Sequence, residues 1–497
     1  MAFGSLTGFS IYLNSFVEKD GSVYLLAREK QSGVKYLVIR GEAEGFVGLP
    51  IPGSGILACP ISPANARQLR QRLPWLVPVP LGLRPSFGFG DRLGLATPGH
   101  VQAARGASLA PLFAQQSVRE NARTGRSPQQ VMDDAMWGIF QAGWRQPWGA
   151  DADHIKNPQD LESFVLAGYT FFTVDPGDHV DNVAQEANLT DLHLKASALP
   201  WDLLQSSVQA LNQAYLGRSF QMAGTADLEG FSLVFDEMTL FRAAAKYGRA
   251  IAHVSQVYHR LSELKEGGSF DFEVSVDETE APTSVLEHFF IASELERLGV
   301  RWISLAPRFV GRFEKGVDYI GDLSVLRAEL SQHAAVMHHF GSYKLSLHSG
   351  SDKFSLYPLF AGLLGGRVHV KTAGTSYLEA LRLLTRVEPA FFREILDFCR
   401  DRYPVDRATY HISAQLDRVP PSSRLSDAQL PGLLDDFDAR QVLHVTFGSV
   451  LDRYGKRLKS ILASHELEYA EGLQVHFQKH LAPFKGVDDE SKLGDGS

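Results

Sequence analysis

Only two cysteines occur in 497 residues, Cys59 and Cys399, and they form neither a metal-binding nor a disulfide pattern. That scarcity fits a reducing compartment. With no N-terminal basic segment leading into an apolar stretch, the chain is expected to be cytoplasmic. Long hydrophobic runs are also missing. No stretch of about 18 apolar residues is present, so no membrane partner is expected. Basic charge is in deficit: 49 Lys and Arg stand against 57 Asp and Glu, a formal charge of −8. This excludes an electrostatic footprint for nucleic acid. The segment Gly88-Phe89-Gly90-Asp91-Arg92-Leu93-Gly94 falls one residue short of a dinucleotide fingerprint, and P-loop, nucleophile-elbow and zinc-finger spacings are absent. Apolar residues, by contrast, make up 44% of the chain, enough for a large core divided over two to three domains.

That apolar material is arranged in a telling way. Eight short runs, at 87–91, 111–115, 148–153, 169–174, 270–276, 302–306, 343–348 and 367–371, read as strands, and nearly all end on His, Asp, Glu or Lys. Helical patterns fall between them, at Pro128–Ala142 behind the N-cap Ser127, Pro158–Ala167, Thr283–Leu298 and Lys353–Leu364. Strands alternating with helices, each strand running out onto polar residues, predict an α/β fold: a (β/α)8 TIM-type barrel with one composite site at its C-terminal face.

Around the barrel, residues 1–85 read as a small β-rich subdomain, with Ser22–Ala27 and Val34–Arg40 as a hairpin and a Pro-rich linker at 74–85. The barrel is expected over 86–385 with a helical insert at about 196–265. A helical extension at 386–485 and a polar, disordered tail at 486–497 complete the organisation.

Side chains in a strand alternate between faces, so the apolar members of Phe272–Asp277 face the helices and Glu273, Ser275 and Asp277 face the axis. The same reasoning turns Asp151, Asp153, Thr173, Asp175, Lys344, Ser346, His348, Arg367, His369 and Lys371 inward. A barrel interior is normally filled by branched apolar residues. Buried charges in that position are costly unless they pair or bind a charged ligand. His154 and His348 stand at strand ends beside carboxylates, where a neutral imidazole can ligate a divalent metal. His369, between Val368 and Val370, reads equally as a core histidine. Glu273 could simply pair with Lys344, and Asp277 and Glu278 could cap the following helix.

The strings Phe87–Gly94, Asp151-Ala152-Asp153-His154, Asp277–Thr283, Leu347–Lys353 and Lys371–Leu378, in that order, resemble the tagaturonate/fructuronate epimerase family. Its members are divalent-metal-dependent hexuronate enzymes, some of which also act on neutral ketohexoses. The resemblance implies a sugar acid or ketohexose as the ligand and inversion at carbon 4. It implies a divalent cation (Zn, Mn, Ni or Co) held by His154, His348 and His369, with Asp153, Glu273 or Asp277 completing the shell. Asp153 and Glu273 become the acid/base pair, and Arg92, Asp277, Asp352 and Lys353 contact the substrate, with Lys353 or Arg92 on its carboxylate. Carbon 4 is beta to the ketone, so its hydrogen is not acidic, whereas its hydroxyl permits retro-aldol cleavage and re-formation of the bond to carbon 3. The competing reading is a metal-dependent aldolase or aldose–ketose isomerase on the same barrel.

Overall fold

A computed structural model describes residues 8–224 and 228–487. The chain opens with an antiparallel sheet of β1 (Phe9–Lys19), β2 (Ser22–Glu29), β3 (Lys35–Arg40), β4 (Leu49–Ile51) and β5 (Ile56–Pro60), in the order β1-β2-β3-β5-β4. The expected hairpin is β2–β3. Two of the other strands escape the period-two rule, β1 because it carries a register shift between Tyr12 and Val17, and β4 because it is a three-residue edge around Pro50. Along β2 the alternation is buried on both sides. Tyr24 and Leu26 join the main core, while Leu25 and Ala27 pack with Val38 and Ile56 in a smaller one.

All eight anticipated barrel strands form. They are β6 (Ser86–Phe89), β7 (Ala110–Ser117), β8 (Gly149–Ile155) and β9 (Phe171–Val174), then, after an inserted hairpin of β10 (Ser219–Met222) and β11 (Phe231–Val234), β12 (Asp271–Ser275), β13 (Ser304–Ala306), β14 (Lys344–Leu347) and β15 (Val368–Thr372). They close as a parallel barrel, β15 pairing β6 with His369 opposite Ser86, and β9 pairing β12 with Thr173 opposite Glu273. This is the (β/α)8 architecture read from the sequence.

The surrounding helices follow local signals. Pro128–Ala142 runs as anticipated, started by a Ser127 capping box and stopped at Gly143 in the left-handed region. The helix of 283–298 is Val285–Arg297, capped by Ser284, and that of 158–167 begins as a 3-10 turn before Leu161–Ala167. The insert differs from its all-helical reading. It holds helices Leu189–Ser197, Val208–Tyr215 and Glu237–Leu264, but the β10–β11 hairpin lies between the last two.

After β15 come helices Thr375–Val387 and Pro389–Asp406, then short 3-10 turns over most of 407–434, then helices Phe437–Val445, Phe447–Ser464 and Glu466–Leu481. The last lies on helix Thr97–Ala104, close enough that a Cβ on Gly99 would stand 2.8 Å from the Ala470 carbonyl oxygen. The extension is thereby folded onto the barrel. Of the tail expected to be disordered, 488–497 lies outside the described residues. Among the described residues no helix is long and apolar enough to cross a membrane.

The N-terminal end of the barrel is sealed by polar contacts. Asp271 accepts from the Leu81 amide at 2.6 Å, and Lys344 donates to the Arg84 carbonyl and the Ser86 hydroxyl, each at 2.9 Å. Arg367, read as inward, is half-buried and donates to the Gly341 carbonyl instead.

Candidate active site

At the opposite, C-terminal end, the ends of β8, β9, β12, β14 and β15 bring the inward polar residues together. Lys371, 4% exposed, is the hub. Its ammonium lies 2.7 Å from Asp151, 2.8 Å from Asp153 and 2.9 Å from Glu273, and it also donates to the Thr173 hydroxyl. Glu273 therefore pairs with Lys371 and not with Lys344. Three carboxylates around one ammonium fix its charge: burial alone would lower its pKa, but Asp151, Asp153 and Glu273 raise it well above the ordinary lysine value.

A second layer leans on the first. His348 donates to Glu273 at 2.7 Å, and its other nitrogen lies 3.2 Å from Asp277 and 3.3 Å from the Ser275 hydroxyl. His154 pairs with Asp153 at 2.7 Å and points its Nε2 toward Asp277 at 3.8 Å. The ligating atoms of His154, Asp277 and His348 all lie within 4.8 Å of one another. His154 sits at φ +52° and Ser349 at φ +50°, conformations that side-chain-bearing residues adopt rarely.

The electrostatics show a surplus of negative charge. Burial opposes charging both imidazoles, yet Asp277 and Glu273 push His348 up to about 9, and Asp153 leads the carboxylates that push His154 up to about 10. Burial would raise the Asp153 and Glu273 carboxyls. His154 and Lys371 hold the first well below the usual carboxylate range, and Lys371 and His348 hold the second there. Asp151 goes the other way. Burial, with Asp153 and Glu273 adding to it against Lys371, pushes it up to about 7.

Asp153, His154, His348 and Lys371 line a well of about 40 Å³ together with Gln115, Lys315 and His444. The well shares Lys315, His348 and Ser349 with a vestibule of about 350 Å³. A larger cleft of about 920 Å³ lies elsewhere, between the 316–318 loop and the C-terminal helices.

Of the residues read from the sequence, His154, His348, Asp277, Asp153 and Glu273 converge here. His369 stands apart: it is fully buried opposite Ser86, its Nδ1 2.9 Å from the Ser86 hydroxyl, and burial keeps it neutral. Arg92 is held by Glu120 at 2.8 Å and stacks on the Phe447 ring at 3.7 Å. Lys353 is fully buried and donates to the carbonyls of Glu314, Val317 and Ser351. Asp352 pairs with Arg440 and His476 on the wall of the large cleft.

Strand alternation turns Lys371 and Asp151 inward but says nothing of the hub they form. Gln115 was covered only by the strand of 111–115. Lys315 and His444 come from a loop and from the C-terminal extension, where no periodicity marks them. His444 can reach the well because residue 374 is glycine: a Cβ there would stand 2.0 Å from the His444 ring.

Comparison with known proteins settles the family. Residues 12–484 match the family described as UxaE, tagaturonate epimerase. This chain belongs to that family. It is 45% identical over 486 residues to the tagaturonate/fructuronate epimerase of Thermotoga maritima, spanning 96% of this chain and 98% of that one. Crystal structures of the fructuronate-tagaturonate epimerase UxaE from Cohnella laeviribosi, glycerol-complexed and native, superpose with a TM-score of 0.90 at 36% identity. The overlap covers 96% of this chain and 96–97% of theirs. The chain is thus an epimerase-family protein on a (β/α)8 barrel.

Proposed function

We propose that this chain interconverts tagaturonate and fructuronate by inverting carbon 4, with a divalent metal at His154, His348 and Asp277. The observation that carries the reading is the convergence of those three donors beside a surplus of buried carboxylate, in a chain of the tagaturonate epimerase family. The donor set fits a divalent cation of the borderline class, two imidazoles and a carboxylate, with Asp151, Asp153 and Glu273 gathered around the Lys371 ammonium beside it. A cation held there supplies a Lewis acid for the carbon-2 carbonyl and the neighbouring hydroxyl.

The chain's own residues handle the proton. Asp153, lining the well, takes the proton of the carbon-4 hydroxyl. The bond between carbons 3 and 4 then breaks, its electron pair moving into the enediolate of the three-carbon ketone fragment and leaving an aldehyde at carbon 4. The aldehyde turns its other face, the bond re-forms, and the carboxylate returns the proton. Lys371 bridges Asp153 and Glu273, so a proton on one carboxylate is one ammonium away from the other. Neutral ketohexoses such as tagatose and fructose present the same carbons 1–4 and are expected as slower substrates.

Product analysis tests the reading. Tagaturonate incubated with the metal-loaded protein should yield fructuronate; net cleavage would instead mean an aldolase. Tagaturonate deuterated at carbon 4 should give fructuronate that keeps its deuterium, because that hydrogen never leaves. Washout of the label would overturn the retro-aldol route.

A further inference from the structure

A well of about 40 Å³ has room for a few waters and not for a whole six-carbon sugar acid. A six-carbon sugar acid whose carbons 2–4 react there must therefore extend its far end, the carboxylate, into the vestibule. Four cations line that vestibule: Arg119, Arg308, Arg312 and Lys315. Arg119 pairs with Glu278 at 3.5 Å, Arg312 pairs with Glu314 at 3.5 Å, and Arg308 is tied to the Thr279 carbonyl. Lys315 alone of the four lines the well as well, and among the described residues its ammonium meets a hydroxyl, Ser349 at 2.6 Å, and no carboxylate.

The loop beneath Lys315 is held with unusual force for a surface connection. Lys353 donates to the carbonyls of Glu314 at 2.9 Å and Val317 at 2.5 Å, and Arg440 donates to that of Gly316 at 2.6 Å. The Glu314 carboxylate accepts from the Ser413 amide and hydroxyl and from Gln441, at 2.7–2.9 Å. Lys353 and Gln441 are fully buried and Arg440 nearly so. Burying Lys353 against main-chain carbonyls is costly, and Arg440 adds its bond to Gly316 while its charge is paired with Asp352; what that arrangement fixes in space is the backbone that carries Lys315.

We propose that Lys315 is the anchor for the substrate's carboxylate and so selects a hexuronate over a neutral ketohexose, with Lys353 and Arg440 as its positioning residues. The proposal rests on the epimerase reading above. It also separates the two lysines: the one expected from the sequence to hold the carboxylate, Lys353, holds the loop, and its neighbour in space holds the ligand. During inversion the carboxylate belongs to the aldehyde fragment, so the anchor also keeps that fragment in place while its carbon 4 turns.

The test compares wild type with Lys315→Gln and Lys315→Arg, each checked for bound metal and thermal midpoint. Lys315→Gln should raise KM for tagaturonate 10- to 100-fold, about 1.4–2.8 kcal/mol of binding, with kcat within a few-fold and metal content unchanged. Lys315→Arg, which keeps the charge, should recover most of that KM. An unchanged KM in Lys315→Gln, or a Lys315→Arg as poor as Lys315→Gln, overturns the anchor. Should wild type show no turnover of tagaturonate, the epimerase reading fails. The anchor is then read by calorimetric titration of tagaturonate, where equal affinity in wild type and Lys315→Gln refutes it.

Discussion

Among the described residues, two clusters hold the same ingredients, one aspartate and two histidines with ligating atoms within 4.8 Å: the half-buried His154 and Asp277 with the buried His348 at the barrel mouth, and the buried Asp352, His476 and His480 under the C-terminal helices. Their surroundings differ in kind. In the second, Asp352 pairs with Arg440 at 2.7 Å and with His476 at 2.6 Å, the other His476 nitrogen meets Glu379 at 3.3 Å, and His480 accepts from the Asp352 amide at 3.1 Å. Charge is balanced and the donors and acceptors are matched, which makes it a clamp between the β14 loop and the last helix. In the first, Asp277 faces both histidines, Asp151, Asp153 and Glu273 share Lys371, and Asp153, His154, His348 and Lys371 line a well. The two share their ligand types, and what separates them is that Asp352 has a guanidinium partner while Asp277 faces the two histidines and the Ser275 hydroxyl at the mouth of the barrel.

The sharpest break of that comparison is removal of a ligand from the first cluster. His348→Ala should lose most bound metal and nearly all turnover, as metal analysis beside a tagaturonate assay will show. His369→Gln, one strand over on the barrel wall and outside the cluster, should keep its metal. Metal loss from His369→Gln with retention in His348→Ala would return His369 to the ligand set in place of His348. Chelation of wild type should abolish turnover and added divalent metal should restore it.

Next in size are the proton carriers. Asp153→Asn and Glu273→Gln keep shape and remove an ionisable group, so turnover should fall about 10²- to 10⁴-fold while the fold and much of the metal remain. Metal loss in either would make that residue a ligand. Wild-type turnover would make it structural.

Asp352→Asn probes the balanced cluster and should act on stability, not metal content. Leaving Arg440 buried without its carboxylate costs about 3 kcal/mol, to be read as a lower urea midpoint with unchanged metal stoichiometry. Lost metal in this variant would erase the distinction between the two clusters.

How far the sequence reaches follows from which signals are local. Barrel strands are legible because each is a short apolar run that stops on polar residues, and strand alternation by itself turns Asp151, Glu273 and Lys371 inward. Alternation gives a side, however, and not a partner. It allows Glu273 to pair with Lys344, but the register places Lys344 against Arg84 and Ser86 at the other end and gives Glu273 to Lys371. Lys353 and Arg92 carried the right charge in the right strings, but their engagement by carbonyls and by Glu120 depends on segments distant in the chain. Lys315 and His444 reach the well only because a loop and an extension fold over the barrel. No pattern within a window of ten residues encodes that.

The smallest expected effect is the acid response of the balanced cluster. His480 is fully buried, its Nε2 accepting from the Asp352 amide and its Nδ1 donating to the His476 carbonyl at 3.2 Å. Burial pushes its pKa down to about 3, against the pull of Asp352. An unfolded chain takes up a proton on this imidazole near pH 6.5, about the ordinary value for histidine, whereas the folded chain resists it down to far lower pH. The group's contribution to stability is therefore whole above about pH 6.5 and is lost as pH falls, by about 2 kcal/mol at pH 5. His480→Gln can still accept and donate a hydrogen bond but does not titrate. The difference in unfolding free energy between pH 7.5 and pH 5, from urea titrations, should shrink by about that amount in the variant. An equal difference in both proteins would move the acid sensitivity to another buried imidazole, with His100, which burial pushes down to about 4, the next to replace.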